Sequence, residues 1–227
     1  MITPRAAEII HSWPLRIQSV EPYQNVVCVG DHLSECCLVI EGFLCRHRTM
    51  DSGQRQILSF HISGDLPDLQ SLYLDEMDYA FGALTRSMVA FIPHAAVRQG
   101  LREEPTLVDL LWRYSLTDTA IFRAWLMNLG RRSAAARIAH LFCELFVRMK
   151  AVGIAEEMGF ELPLSQTEIA DALALSTVHV NRTLQELRHE GVIQSHGKLH
   201  RFKDWERLRQ IAEFDPRYLQ LRDPPRL

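Results

Sequence analysis

The chain has 227 residues, 47% apolar and 23% charged, with 11 glycines and 10 prolines, proportions that exclude collagen-like, low-complexity and disordered readings. Its formal net charge of −3 excludes a wholly basic nucleic-acid coat but not a local basic face, because binding depends on where charges sit. No apolar run approaches the ~20 residues that cross a bilayer, and Arg5, Glu8 and His11 interrupt the only apolar stretch near the N-terminus, so neither a signal peptide nor a membrane partner is expected and the cytoplasm is the expected location.

The first hundred residues read as short strands between regularly spaced turns. Gly30, Gly42, Gly53 and Gly64 separate runs such as CLVIEGFLCRHR and QRQILSFHI, with SMVAFIP further on. Short strands at that interval point to a β-roll, jelly roll or small barrel over residues 1–102, and Ser52-Gly53 suits a hairpin turn. Five cysteines (Cys28, Cys36, Cys37, Cys45, Cys143) with no CxxC argue against disulfide staples and metal or redox motifs. They read as small apolar residues.

After Pro93 the texture becomes helical. Glu103, Glu104 and Pro105 make a helix start, and the pattern runs to Gly130 with no Pro or Gly inside, a helix of ~37 Å. Leu107, Leu111, Tyr114, Ile121 and Trp125 follow 4-3 spacing, so residues 103–130 are read as a dimerisation helix, with core packing as the alternative. A further helix begins at Ser133, and residues 131–227 form the third region.

The informative stretch is Leu162–Phe202. Ser165 and Glu168 form a capping box, and Ile169, Ala170 and Leu173 give the short helix that follows a buried stripe. Ser176 is a second N-cap. From Thr177 a helix runs to Glu190, with Val180, Leu184 and Leu187 facing inward, and Gly191 sits where a helix end favours glycine. Two short helices joined by about three residues make a helix-turn-helix. Thr177, Val178, His179, Asn181, Arg182 and Gln185 occupy the part of the second helix that reads base edges in such motifs. From Ser176 to Lys203 five basic residues face two acids, a positive window in a negative chain. Residues 193–202 read as a wing turning at His196-Gly197, which would lay Lys198 and His200 near phosphates.

These residues resemble the winged-helix domain of Crp–Fnr family transcription regulators, through Leu164-Ser165-Gln166, Ile169-Ala170-Asp171-Ala172-Leu173, Val178-His179-Val180-Asn181-Arg182 and Leu187-Arg188-His189-Glu190-Gly191. The order of parts is similar as well. The resemblance implies an α+β protein: an N-terminal β-roll, a long dimerisation helix and a C-terminal winged helix-turn-helix. It implies that Arg182 reads guanine and that Ser165, Gln166 and Thr167 meet phosphate at a helix N-terminus. It also implies a homodimer on a near-palindromic double-stranded DNA site, with RNA polymerase and a small-molecule effector as further candidate partners. Val178 stands where many relatives carry glutamate, which implies a changed half-site at that base pair. Ala174 stands where glycine is usual in the turn.

The sensor end matches less well. Ser63-Gly64-Asp65 keeps the opening of the family's cyclic-nucleotide cassette, but Asp68 and Leu69 replace its Gly-Glu pair. Arg86-Ser87 lies farther on, at the start of a strand. Without an arginine a cyclic phosphate lacks its bidentate partner, while Asp68, Asp75, Glu76 and Asp78 would repel it, so cyclic AMP is not expected. The pocket is then empty, filled by Leu69, Leu72 and Tyr73, or adapted to another ligand. The Cys set lacks the N-terminal spacing of the family's iron–sulfur branch, and His32, His47, His61 and His94 lack the HxH pairing of a cupin metal site. No cofactor, metal site or catalytic residue is expected. A rival reading is a β-roll small-molecule- or metal-binding protein whose C-terminal helices mediate protein contacts.

Overall fold

The computed structural model describes residues 2–155, 159–196 and 199–221. They form two compact units, one of Met1–Arg48 with Leu58–Thr119 and the other of Thr49–Ile57 with Ala120–Leu227.

The first unit opens with α1 (Pro4–Ser12), a helix the sequence reading left out. Thr3 caps it by accepting from the Ala6 amide at 3.0 Å, with Pro4 at the first-turn position. Seven strands follow: β1 (Arg16–Val20), β2 (Asn25–Val27), β3 (Glu35–Glu41), β4 (Leu44–Thr49), β5 (Arg55–His61), β6 (Ala80–Ala83) and β7 (Ser87–Pro93). They make two antiparallel sheets, ordered β1-β7-β3 and β2-β6-β4-β5. Val20, Val27, Cys37, Val39, Leu44, Phe81 and Val89 fill the core. The regular glycines are turn positions. At Gly42, φ is +103° and a Cβ would lie 2.2 Å from the Ser87 hydroxyl, so only glycine fits. The Ser52-Gly53 turn is present, Met50 donating to the Gln54 carbonyl at 2.8 Å.

A second unforeseen helix, α2 (His94–Glu103), follows β7. It contains Gly100, which a propensity reading disfavours. The glycine is used for close packing, because a Cβ there would meet Ile9 and Trp13 at 3.0 Å. The long helix is α3 (Thr106–Arg131). In the first unit Leu107, Leu111 and Tyr114 turn inward, while Val108, Trp112 and Leu116 are exposed. In the second, Trp125 is buried while Phe122, Leu126 and Met127 are exposed. The 4-3 stripe read from the sequence is therefore largely a core face. The exposed apolar residues lie beside it.

The second unit is organised by α4 (Ala134–Ala151), capped by Ser133 and buried along Ile138, Phe142, Leu145 and Phe146. Around it lie β8 (Gly159–Glu161), α5 (Gln166–Leu173), α6 (Thr177–His189), β9 (Ile193–His196), β10 (Leu199–Phe202) and α7 (Trp205–Ala212). The strands order as β8-β10-β9, all antiparallel. Phe146, Phe160, Phe202 and Trp205 pack with ring centroids 4.8–5.8 Å apart. Within this apolar core Glu144 is fully buried. It accepts from Trp125 Nε1 at 3.1 Å and from the Tyr218 hydroxyl at 2.7 Å, and Arg148 lies 3.7 Å away. Burial raises its pKa, against the opposing pull of Arg148, Tyr218 and Trp125. No helix among the described residues is long and apolar enough to cross a membrane.

Candidate nucleic-acid interface

The capping box at the start of α5 forms as its sequence predicts: Ser165 Oγ accepts from the Glu168 amide at 3.2 Å, and the Glu168 carboxylate accepts from the Ser165 amide. Ile169, Ala170, Ala172 and Leu173 are buried. The helix ends at Ala174, held left-handed at φ +52°, ψ +48°, a conformation costly for a residue with a Cβ. Arg55 donates to Asp171 at 2.9 Å and Gln56 to the Ala172 carbonyl at 3.3 Å, so the β4–β5 turn, part of this same unit, grips the end of α5. Neither residue is conspicuous in the sequence.

Ser176 then caps α6, accepting from the His179 amide at 3.2 Å. Val180, Thr183, Leu184 and Leu187 are buried against the rest of the unit, and Gly191 follows the helix at φ +72°. The opposite face is open. Thr177, Val178, Arg182 and Gln185 are exposed, Val178 by 78%, and Ser165, Thr167 and Ser176 are exposed beside the helix starts. Arg182 Nε lies 3.7 Å from Glu186 one turn on, both side chains more than half exposed.

Other expected site residues behave differently. His179, Asn181 and Gln166 are half-buried. Asn181 donates its amide to Gln166 Oε1 at 3.0 Å, tying α6 to the first turn of α5. His200 is a correction. It is 5% exposed, packed 4.9 Å from the Phe142 ring, and burial lowers its pKa to about 4. It belongs to the core and not to a phosphate-facing wing, because in β10 residues two apart share a face and Phe202 fixes that face as the inner one. Lys198 and the wing-tip Gly197 lie outside the described residues.

Residues 136–211 match the Crp-like helix-turn-helix domain and residues 17–104 match the cyclic nucleotide-binding domain. This chain belongs to the Crp–Fnr family. Among its relatives is the transcriptional activator protein FnrL of Cereibacter sphaeroides, 28% identical over 81% of this chain and 74% of that protein. The nitrogen fixation regulation protein FixK of Rhizobium meliloti is 26% identical over 84% and 86%. The solved structure of FixK2 from Bradyrhizobium japonicum superposes with a TM-score of 0.79 at 21% identity, covering 87% of this chain and 97% of that one. The protein is a Crp–Fnr-type transcription regulator with a helix-turn-helix DNA-binding domain.

In this Crp–Fnr regulator the region matching the cyclic nucleotide-binding domain has unusual contents. Asp68 is buried, accepts from the Cys37 amide at 2.8 Å, and has its pKa pushed up to about 7 by burial. Leu69 and Leu72 are buried as well, whereas Tyr73 is 77% exposed. Arg86 points to solvent and pairs with Glu21 at 3.5 Å. The four histidines of the β-roll have separate partners: His61 with Ser59, His94 with Ser71, His32 with the Asp75 carbonyl and His47 with Asn25. Among the described residues no three potential metal ligands converge.

Proposed function

We propose that the protein is a dimeric regulator that lays Thr177–Gln185 of each α6 in a major groove of a near-palindromic site. The observation that carries this reading is the division of α6: Val180, Leu184 and Leu187 buried on one side, Thr177, Val178, Arg182 and Gln185 exposed on the other, next to the open N-terminus of α5. Arg182 reads guanine, and Ser165 and Thr167 meet phosphate. Val178 packs on a thymine methyl, which changes the half-site relative to family members with glutamate there. Dimerisation is supported by the exposed apolar residues of α3. Trp112, 65% exposed, lines with Val108, Leu111, Leu69, Leu72 and Leu74 an apolar cavity of about 300 Å³, more apolar surface than a lone helix leaves in water without use.

Relatives named as activators support activation, for which RNA polymerase is the second partner. The β-roll does not suit a cyclic nucleotide: Asp68 places a buried carboxyl there, Arg86 points outward, and the buried Arg46 guanidinium is already engaged by Pro67 and Asp118. Selection of bound fragments from a random DNA pool, with binding then measured across salt, tests the proposal. An enriched inverted repeat with a steep salt dependence is the expected result. No enrichment, or an enriched site without two-fold symmetry, would refute it.

A further inference from the structure

We propose that Asn181 is a positioning residue for DNA recognition: it orients the side-chain amide of Gln166 so that its NH2 group meets a backbone phosphate, and it reads no base itself. The proposal rests on the major-groove reading above.

Gln166 is the first residue of α5, between the exposed Ser165 and Thr167. Asn181 lies one turn beyond Thr177 on α6, at the border between that helix's two sides, with Val180 buried before it and Arg182 exposed after it. Both residues are half-buried, and the bond between them runs from Asn181 Nδ2 to Gln166 Oε1 at 3.0 Å. It turns the carbonyl end of Gln166 toward α6. The Nε2 end has no acceptor among the described residues, and it is not sealed from water.

Two features connect this bond to DNA. A helix with its side chains is ~10–12 Å across and the major groove is ~12 Å wide, so α6 fills the groove it enters. A side chain of another helix that touches the flank of α6 therefore lies at the groove's wall, which is the phosphate backbone. Gln166 is held there by Asn181. The polarity of the bond matters as well. A glutamine amide has an acceptor at one end and two donors at the other, so an unheld Gln166 would turn its carbonyl outward as readily as its NH2, and the phosphate would repel it. With Oε1 engaged by Asn181, the donors face outward. The side chain is also ordered before DNA arrives, which lowers the entropy cost of binding. Asn181 uses its own amide for this contact, while Thr177, Val178, Arg182 and Gln185 stay open to the bases.

The test uses the full-length protein and a fragment from the DNA selection, rebuilt with a neutral methylphosphonate at one backbone position at a time. For wild type, one position in each half-site should mark the Gln166 contact by a loss of about tenfold, the lower end for a hydrogen bond to a charged group. Gln166→Ala should bind the unmodified fragment about tenfold more weakly and lose the sensitivity at that position. Asn181→Ala should bind about fivefold more weakly, equally on fragments with each half-site base pair changed, and respond less than about twofold to the same methylphosphonate. The double variant should be no weaker than Gln166→Ala, where independent contacts would give about fiftyfold. Asn181→Asp can only accept, so it turns the Gln166 carbonyl outward and should abolish the same sensitivity. Alanine suits a helix, and urea midpoints of the alanine variants matching wild type separate lost orientation from lost folding. A loss for Asn181→Ala confined to one base pair would make it a base reader and overturn the proposal. So would a full methylphosphonate effect in Asn181→Ala, or losses that multiply in the double variant. A wild type that enriches no fragment refutes the groove reading and this proposal with it, whereas a wild type that binds while the two residues act independently refutes the proposal alone.

Discussion

Arg182 and Glu186 set up a competition whose size can be worked out before measurement. The two side chains are 3.7 Å apart, 68% and 57% exposed. An exposed pair one helical turn apart stabilises by only ~0.3–0.5 kcal/mol, whereas a bidentate guanine contact discriminates by ~1–3 kcal/mol. DNA therefore wins the arginine, at the loss of the pair. Arg182→Ala forfeits the base contact but no longer sacrifices the pair, so the net cost is ~0.5–2.7 kcal/mol, or about 2–100-fold in affinity. Glu186→Ala frees the guanidinium in advance and removes a negative charge facing phosphates, so affinity rises about twofold. With Arg182 absent, the same Glu186 change should lose the part of its effect that came from freeing the guanidinium. Gel-shift titrations at fixed salt, on the selected fragment and on fragments with each half-site base changed, measure all three. A loss within twofold for Arg182→Ala would refute the readout. An equal loss on every fragment would recast Arg182 as a phosphate contact.

The remaining predictions concern what holds this surface in place. Ala174→Gly relieves a left-handed residue and should stabilise the DNA-binding unit by about 0.5–1 kcal/mol, seen as a higher urea midpoint with unchanged DNA affinity. Glu144→Ala removes a buried carboxylate from Trp125, Tyr218 and Arg148 and should cost ~3–5 kcal/mol in urea unfolding, whereas Tyr218→Phe should cost ~1–3 kcal/mol; a midpoint within error of wild type for Glu144→Ala would contradict the network. His140 and His200 have folded pKa values lowered to about 3 and about 4 by burial, so the unfolded chain takes up their protons first. Stability is then full above the unfolded value of about 6.5 and falls below it by about 1.4 kcal/mol per pH unit for each histidine until the folded value is reached. Unfolding midpoints of His200→Gln against pH should show a shallower fall below 6.5, and an identical slope would place His200 outside the core. Trp112→Glu should convert the dimer to monomer in sedimentation and weaken binding to the two-fold site; an intact dimer would move the interface elsewhere.

How much of this was legible depended on whether a residue's role is set by near neighbours or distant ones. The capping box, Ser176, the inward Val180–Leu184–Leu187 stripe and Gly191 are all satisfied within a few residues of themselves, and each stands where its spacing placed it. The strands between the spaced glycines also appear. Helices α1 and α2 were missed because neither opens on a capping box like that of the shorter α5, and α2 contains Gly100, whose place is set by packing on α1. His200 was misread although the parity of Phe202 carried the information. On α3, apolar residues lie on two faces, and periodicity cannot say which one is covered.

By itself the order of amino acids determined the strands between turn glycines, the helix caps and the buried stripe of α6, since caps, turn glycines and amphipathic stripes draw their energy from interactions a few residues long. Only the folded chain decided that Arg46 reaches Asp118, that Glu144 gathers Trp125 and Tyr218, and that Asn181 leans on Gln166. Those partners lie from 15 to 74 residues apart. A buried polar group takes whichever partner packing brings to it, and its own sequence neighbourhood does not name that partner.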